Sequence, residues 1–116
     1  MNIEQFRDYC LRKKCVTEEF PFDEKTLVFK VLGKMFALSG LERIPPSVNL
    51  KCDPERSILL REEYDGQIIK GFHMNKKHWN TLEISRLPHD LILELIDHSY
   101  DLVVEKLPKN QRVKIK

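Results

Sequence analysis

The segment Gly71–Trp79 (GFHMNKKHW) holds the densest chemistry in this chain. It sets Lys76 and Lys77 beside Asn75, His73, His78 and Trp79, the only tryptophan. Lysines neutralise phosphates, aromatic rings stack on bases or sugars, and an asparagine can bridge a phosphate or a base edge. The same residues also fit a structural role. Trp79 can plug the edge of the core beneath the final helix, with Asn75 capping a helical turn and the two lysines solvated. His73 and His78 have the spacing of two ligands on one helical turn, but no third ligand accompanies them, so they read as hydrogen-bonded loop histidines and not as a metal pair.

Several elements must hold this loop. Asn2 is an N-cap for a helix over Ile3–Lys13, whose Ile3, Phe6, Tyr9 and Cys10 form one apolar stripe. Thr26–Ser39 reads as two strands joined by a tight turn at Gly33–Lys34, and Ser47–Cys52 as a third strand. Asp53-Pro54-Glu55 starts a second helix with an N-cap, a proline at the first helical position and an acid in the first turn. That helix runs to about Tyr64. Gln67–Lys70 and Asn80–Ile84 read as two more strands. A last helix runs from Pro88 to about Lys106, with an apolar face over more than half its circumference and Glu94, Asp97, Asp101 and Glu105 on the rest. The expected order is α-β(3)-α-β(2)-α. Its short connections favour an antiparallel sheet with helices packed on it, an α+β fold in one domain over 1–116.

Charge is divided unevenly along the chain although the formal net charge is only +2. Residues 87–104 carry no Lys or Arg, whereas Lys70, Lys76, Lys77 and Arg86 lie before them and Lys106, Lys109, Arg112, Lys114 and Lys116 after them. One side alone is therefore expected to meet an anionic partner. The composition, 41% hydrophobic and 33% charged, is that of a folded chain. No stretch is apolar for long enough to span a membrane and the N-terminus lacks a signal-peptide pattern, so a cytoplasmic protein is expected. Cys10, Cys15 and Cys52 form no CxxC and read as free thiols. No nucleophile elbow, phosphate-binding glycine loop, dinucleotide fingerprint or HExxH is present, so no enzyme activity and no cofactor are expected.

Four blocks carry a family resemblance: EFPFDEKTLVFKVLGKMFAL (Glu19–Leu38), VNLKCDPE (Val48–Glu55), LREEYDGQIIKGFHMNKKHWNTLEI (Leu60–Ile84) and LILELIDHSYDLVVEKLPK (Leu91–Lys109). Together they resemble the MmcQ/YjbR family over nearly the whole chain. The resemblance implies a two-layer sandwich similar to secretion chaperones, a double-wing architecture and a DNA-binding role. Lys51, Lys70, His73, Asn75, Lys76, Lys77, His78 and Trp79 match the family pattern. Together with the basic tail (Lys109, Arg112, Lys114) they are the expected contacts, to weak and salt-sensitive effect. The alternative is a protein- or peptide-binding module using the chaperone-like sheet. A small-ligand site or enzyme built on His73 and His78 is a third reading.

Overall fold

The computed structural model describes residues 1–71 and 74–115. The chain forms α1 (Ile3–Leu11), β1 (Val16–Glu19), β2 (Thr26–Val31), β3 (Lys34–Gly40), β4 (Ser47–Lys51), α2 (Pro54–Glu63), β5 (Ile68–Lys70), β6 (Trp79–Glu83), α3 (His89–Glu105) and the short α4 (Lys109–Arg112). All strand pairs are antiparallel, in the order β1-β2-β3-β4-β6-β5. The α+β sandwich expected from the sequence is the fold observed.

Two elements were not foreseen. β1 (VTEE) has little apolar content and is mostly exposed, so periodicity does not reveal it. It forms by pairing with β2, Val16 opposite Val31 and Glu19 opposite Val28. The short α4 lies in the stretch read only as a charged tail. The β2–β3 turn sits one residue earlier than expected. Leu32 (φ 47°) and Gly33 (φ 85°) are its central pair, both in the left-handed region that a two-residue hairpin turn requires. Lys34 thereby becomes the first residue of β3.

Alternation along the strands puts Leu27, Phe29 and Val31, Val48 and Leu50, Leu82 and Ile84 into one core beneath the helices. The register slips between Phe29 and Lys30, giving β3 an extra residue, and both Phe36 and Ala37 are fully buried. Phe36 meets Tyr100 of α3 edge to face at 5.4 Å, and Phe6 of α1 meets Phe29 at 5.9 Å. A smaller cluster of Val28, Leu38 and Trp79 joins Met35 and Met74.

Helix α3 is fixed to the sheet by one buried hydroxyl. Ser99 Oγ donates to Phe36 O (2.5 Å) and accepts from the Lys51 N–H (2.9 Å). A buried polar group needs such partners. This bond ties α3 to β3 and β4 at the point where β4 ends. The acidic stripe of α3 holds the neighbouring helices rather than lying idle in solvent. Asp97 accepts from Tyr9 and pairs with Lys13 of the α1 C-terminal region, and Glu94 pairs with Arg56 of α2. The apolar face of α3 is narrower in the fold than on paper: Leu91, Leu93, Leu102 and Val104 stay partly exposed.

Candidate phosphate-binding end

The loop at residues 74–79 is built around Trp79, which is 5% exposed. The Trp79 N–H donates to Asn75 O (3.0 Å) and the Asn75 side chain accepts from the Lys77 N–H (2.9 Å), closing the helical turn expected after Asn75. On the other side the Gly71 N–H donates to Trp79 O (2.8 Å). The approach there admits only glycine: a Cβ at position 71 would stand 2.8 Å from Trp79 Cβ. Trp79 is thus the internal anchor, and its buried ring is no open platform for stacking a base.

Strand pairing puts Lys51 directly opposite Trp79, and the Lys51 ammonium lies 5.7 Å from the indole centroid. The Cys52 N–H donates to His78 O (2.9 Å), so the loop and the end of β4 are one unit. The same end receives the start of β3, since β3 runs antiparallel to β4, and the C-terminal end of α3, seven residues beyond Ser99. Lys34, Lys51 and Lys106 consequently line one depression of about 400 Å³ with Trp79, Val103 and Leu107. A second depression of about 180 Å³ adjoins it, sharing Lys51 and Lys106 and reaching His78 and Asp53.

The electrostatics of this end are unbalanced. Among the described residues, Lys34, Lys51 and Lys106 form no ion pair with a carboxylate. Burial, with the neighbouring Lys106 charge, holds the Lys51 ammonium below its ordinary pKa. Asp53, the nearest carboxylate in the lining, is engaged at the N-terminus of α2, accepting from the Arg56 N–H (3.0 Å).

Of the residues singled out from the sequence, Lys51, His78 and Trp79 are brought together. Asn75, Lys76 and Lys77 sit in the adjoining turn, with both lysines exposed. Lys70 pairs with Asn80 at the same end of the sheet. Lys109, Arg112 and Lys114 follow Lys106 directly, and Lys114 O lies 3.7 Å from Cys15 Sγ, so the tail stays on this end. None of these seven lines the depression. His73 lies outside the described residues. Sequence reading missed Lys34 and Lys106. Lys106 had a signal: it is two helical turns beyond Ser99 on the same stripe. Lys34 had only its place after the turn glycine.

His98 links α3 to the start of α2 at the edge of this end, its Nε2 accepting from the Asp53 N–H (3.1 Å). Burial and the Arg56 charge lower its pKa from 6.5, outweighing Asp53, Asp101 and Glu105. Only the neutral ring can accept this bond. The stabilising contribution is therefore complete above the unfolded imidazole pKa of 6.5 and is lost as pH falls through the lower folded value. Urea midpoints of the wild-type chain should drop more between pH 7.5 and pH 5 than those of a His98→Gln variant; equal drops would refute the link.

Comparison with known proteins fits this architecture. The model of the YjbR family matches residues 11–102. The chain belongs to the YjbR family. The uncharacterized protein YbdF of Escherichia coli is 41% identical over 101 residues, covering 84% of this chain and 80% of that protein. The uncharacterized protein YjbR of Escherichia coli is 33% identical over 113 residues, covering 97% and 95%. A crystal structure of a Deinococcus radiodurans protein superposes with a TM-score of 0.90 at 39% identity, over 98% of this chain and 87% of that one. A Pseudomonas syringae protein superposes with a TM-score of 0.74 at 29% identity, over 88% and 98%. The YjbR match spans every strand described above, including the edge strand β1, and stops short of the basic tail. Among the described residues no helix is long and apolar enough to cross a membrane.

Proposed function

We propose that this YjbR-family chain is a cytoplasmic binding module for nucleic acid, without catalysis, that grips phosphates at the basic end of its sandwich. The observation that carries this reading is the meeting of Lys34, Lys51 and Lys106 on one depression with no carboxylate paired to any of them among the described residues. Lys70, Lys76, Lys77, Lys109, Arg112 and Lys114 extend the same end. Asp97 and Glu94 hold helices, and Glu18 and Glu19 pair with Arg7 and Lys30, and none of the four lines either depression. A net charge of +2 keeps the attraction local and the binding weak.

Fluorescence anisotropy with labelled duplex and single-stranded DNA tests this. Three phosphate contacts predict a slope of log K against log salt of roughly −2 to −3, at about −0.7 per contact for single strands and −0.9 for duplex. Absence of salt-dependent binding at about 50 mM salt, where such contacts are strongest, would sink the proposal.

A second reading, binding of a protein or peptide, is favoured by the β5 edge. Ile69 is 46% exposed there and borders a groove of about 330 Å³ lined also by Ile44 and Pro45. A partner retained by Lys34→Glu/Lys106→Glu and lost by Ile69→Asp would support that reading instead.

A further inference from the structure

We propose that the depression between Lys34, Lys51 and Lys106 seats a phosphomonoester, the terminal phosphate of a nucleic acid strand or of a free nucleotide, with the organic part of the ester against Val103, Leu107 and the edge of Trp79. This rests on the phosphate-binding reading above and narrows it from a backbone to an end.

The charge count favours an end. A phosphodiester within a strand carries one negative charge. A phosphomonoester carries about −1.5 to −2 at neutral pH and has three strong acceptor oxygens. Three lysines around one depression suit the second group, because each ammonium is a compact charge that can take a separate oxygen. Cations meant for a strand running past would be spread along a stripe and not gathered on one depression.

The shape agrees. A depression of about 400 Å³ lies in the range of small-ligand sites, about 300–1,000 Å³, and is larger than an anion alone needs. Its Val103 and Leu107 side chains and the Trp79 edge offer an apolar surface to a sugar or base. Beyond Lys51 and Lys106 the smaller depression leads to His78, a further polar group within reach. Lys51 adds a physical reason for occupancy. Its ammonium is partly desolvated, repelled by Lys106 and, among the described residues, paired with no carboxylate but set over the Trp79 ring, so an arriving dianion would relieve an unfavourable charge.

The test compares one short single-stranded oligonucleotide, labelled at its 3′ end, carrying either a 5′-phosphate or a 5′-hydroxyl. The phosphorylated strand should bind about tenfold tighter, the scale of a charge-assisted hydrogen bond. Lys34→Ala and Lys106→Ala, both at exposed positions, should erase that difference with unchanged melting temperature. Lys109→Ala/Arg112→Ala should weaken both strands alike. Thymidine 5′-monophosphate should compete and thymidine should not. Competition at concentrations matching the strand assigns the seat to free nucleotides, and a requirement for large excess assigns it to strand ends; either keeps the phosphomonoester. Equal affinity for the two strands, each still salt-dependent, overturns this inference and leaves nucleic-acid binding standing. No binding of either strand overturns both.

Discussion

Trp79→Ala will destabilise the fold by about 3–5 kcal/mol, the usual cost of emptying a large buried aromatic site. The indole is 5% exposed and packs with Val28, Leu38, Met35 and Met74 in a cluster separate from the main core. The Gly71 backbone already lies close against the Trp79 backbone and Cβ, which limits how far it can close into the space. The loss also removes the ring under the Lys51 ammonium. A drop in melting temperature on the order of 10–20 °C follows for a chain of this size. Thermal unfolding followed by far-ultraviolet circular dichroism checks it, with Trp79→Phe expected to recover much of the loss. A Trp79→Ala effect below about 1 kcal/mol, the ordinary scale of a point substitution, would remove the tryptophan from its anchoring role. Lys77→Ala, on the exposed turn, should stay within about 0.5 kcal/mol of wild type.

Lys34→Glu/Lys106→Glu should weaken DNA binding at least about tenfold and flatten the salt slope. Both side chains are exposed, so the exchange spares the core. It replaces two of the three cations on the depression with charges that repel a phosphate. The neighbouring Lys51 should regain a more ordinary titration beside new carboxylates, so the variant fold has no added buried charge to carry. Lys25→Glu is the matching control. Lys25 starts the approach to β2 at the opposite end of the sheet and already pairs with Glu42. Anisotropy titrations of the three proteins decide the matter. An unchanged slope in Lys34→Glu/Lys106→Glu would show that phosphates are held elsewhere.

Most of the elements follow from local rules that the sequence states openly. Asp53-Pro54 starts α2 because an aspartate side chain and a proline suit the free N–H groups of a first turn, and Asp53 does accept from the Arg56 N–H. Asn2 caps α1 through a capping box with Gln5. β-Branched and aromatic content around a glycine turn made β2 and β3 visible, and alternation made β6 visible. β1 was hidden because a mostly exposed edge strand needs only a partner, not an apolar face, and that partner is supplied by tertiary pairing.

The sequence by itself determined the antiparallel α+β sandwich, the family, and the loop from Gly71 to Trp79 as a distinct feature with an internal anchor. Its local periodicities and caps act over a few residues, so they survive being read in one dimension. Tertiary structure alone decided which cations meet. Lys34, Lys51 and Lys106 are far apart in sequence and come from a strand start, a strand end and a helix cap. They converge because antiparallel pairing sets β3 against β4 and because Ser99 pins α3 across both. The loop lysines, adjacent in sequence, are exposed, whereas Lys51 among these distant ones is half-buried. Enclosure depends on what folds over a side chain, and no local pattern of charge records that.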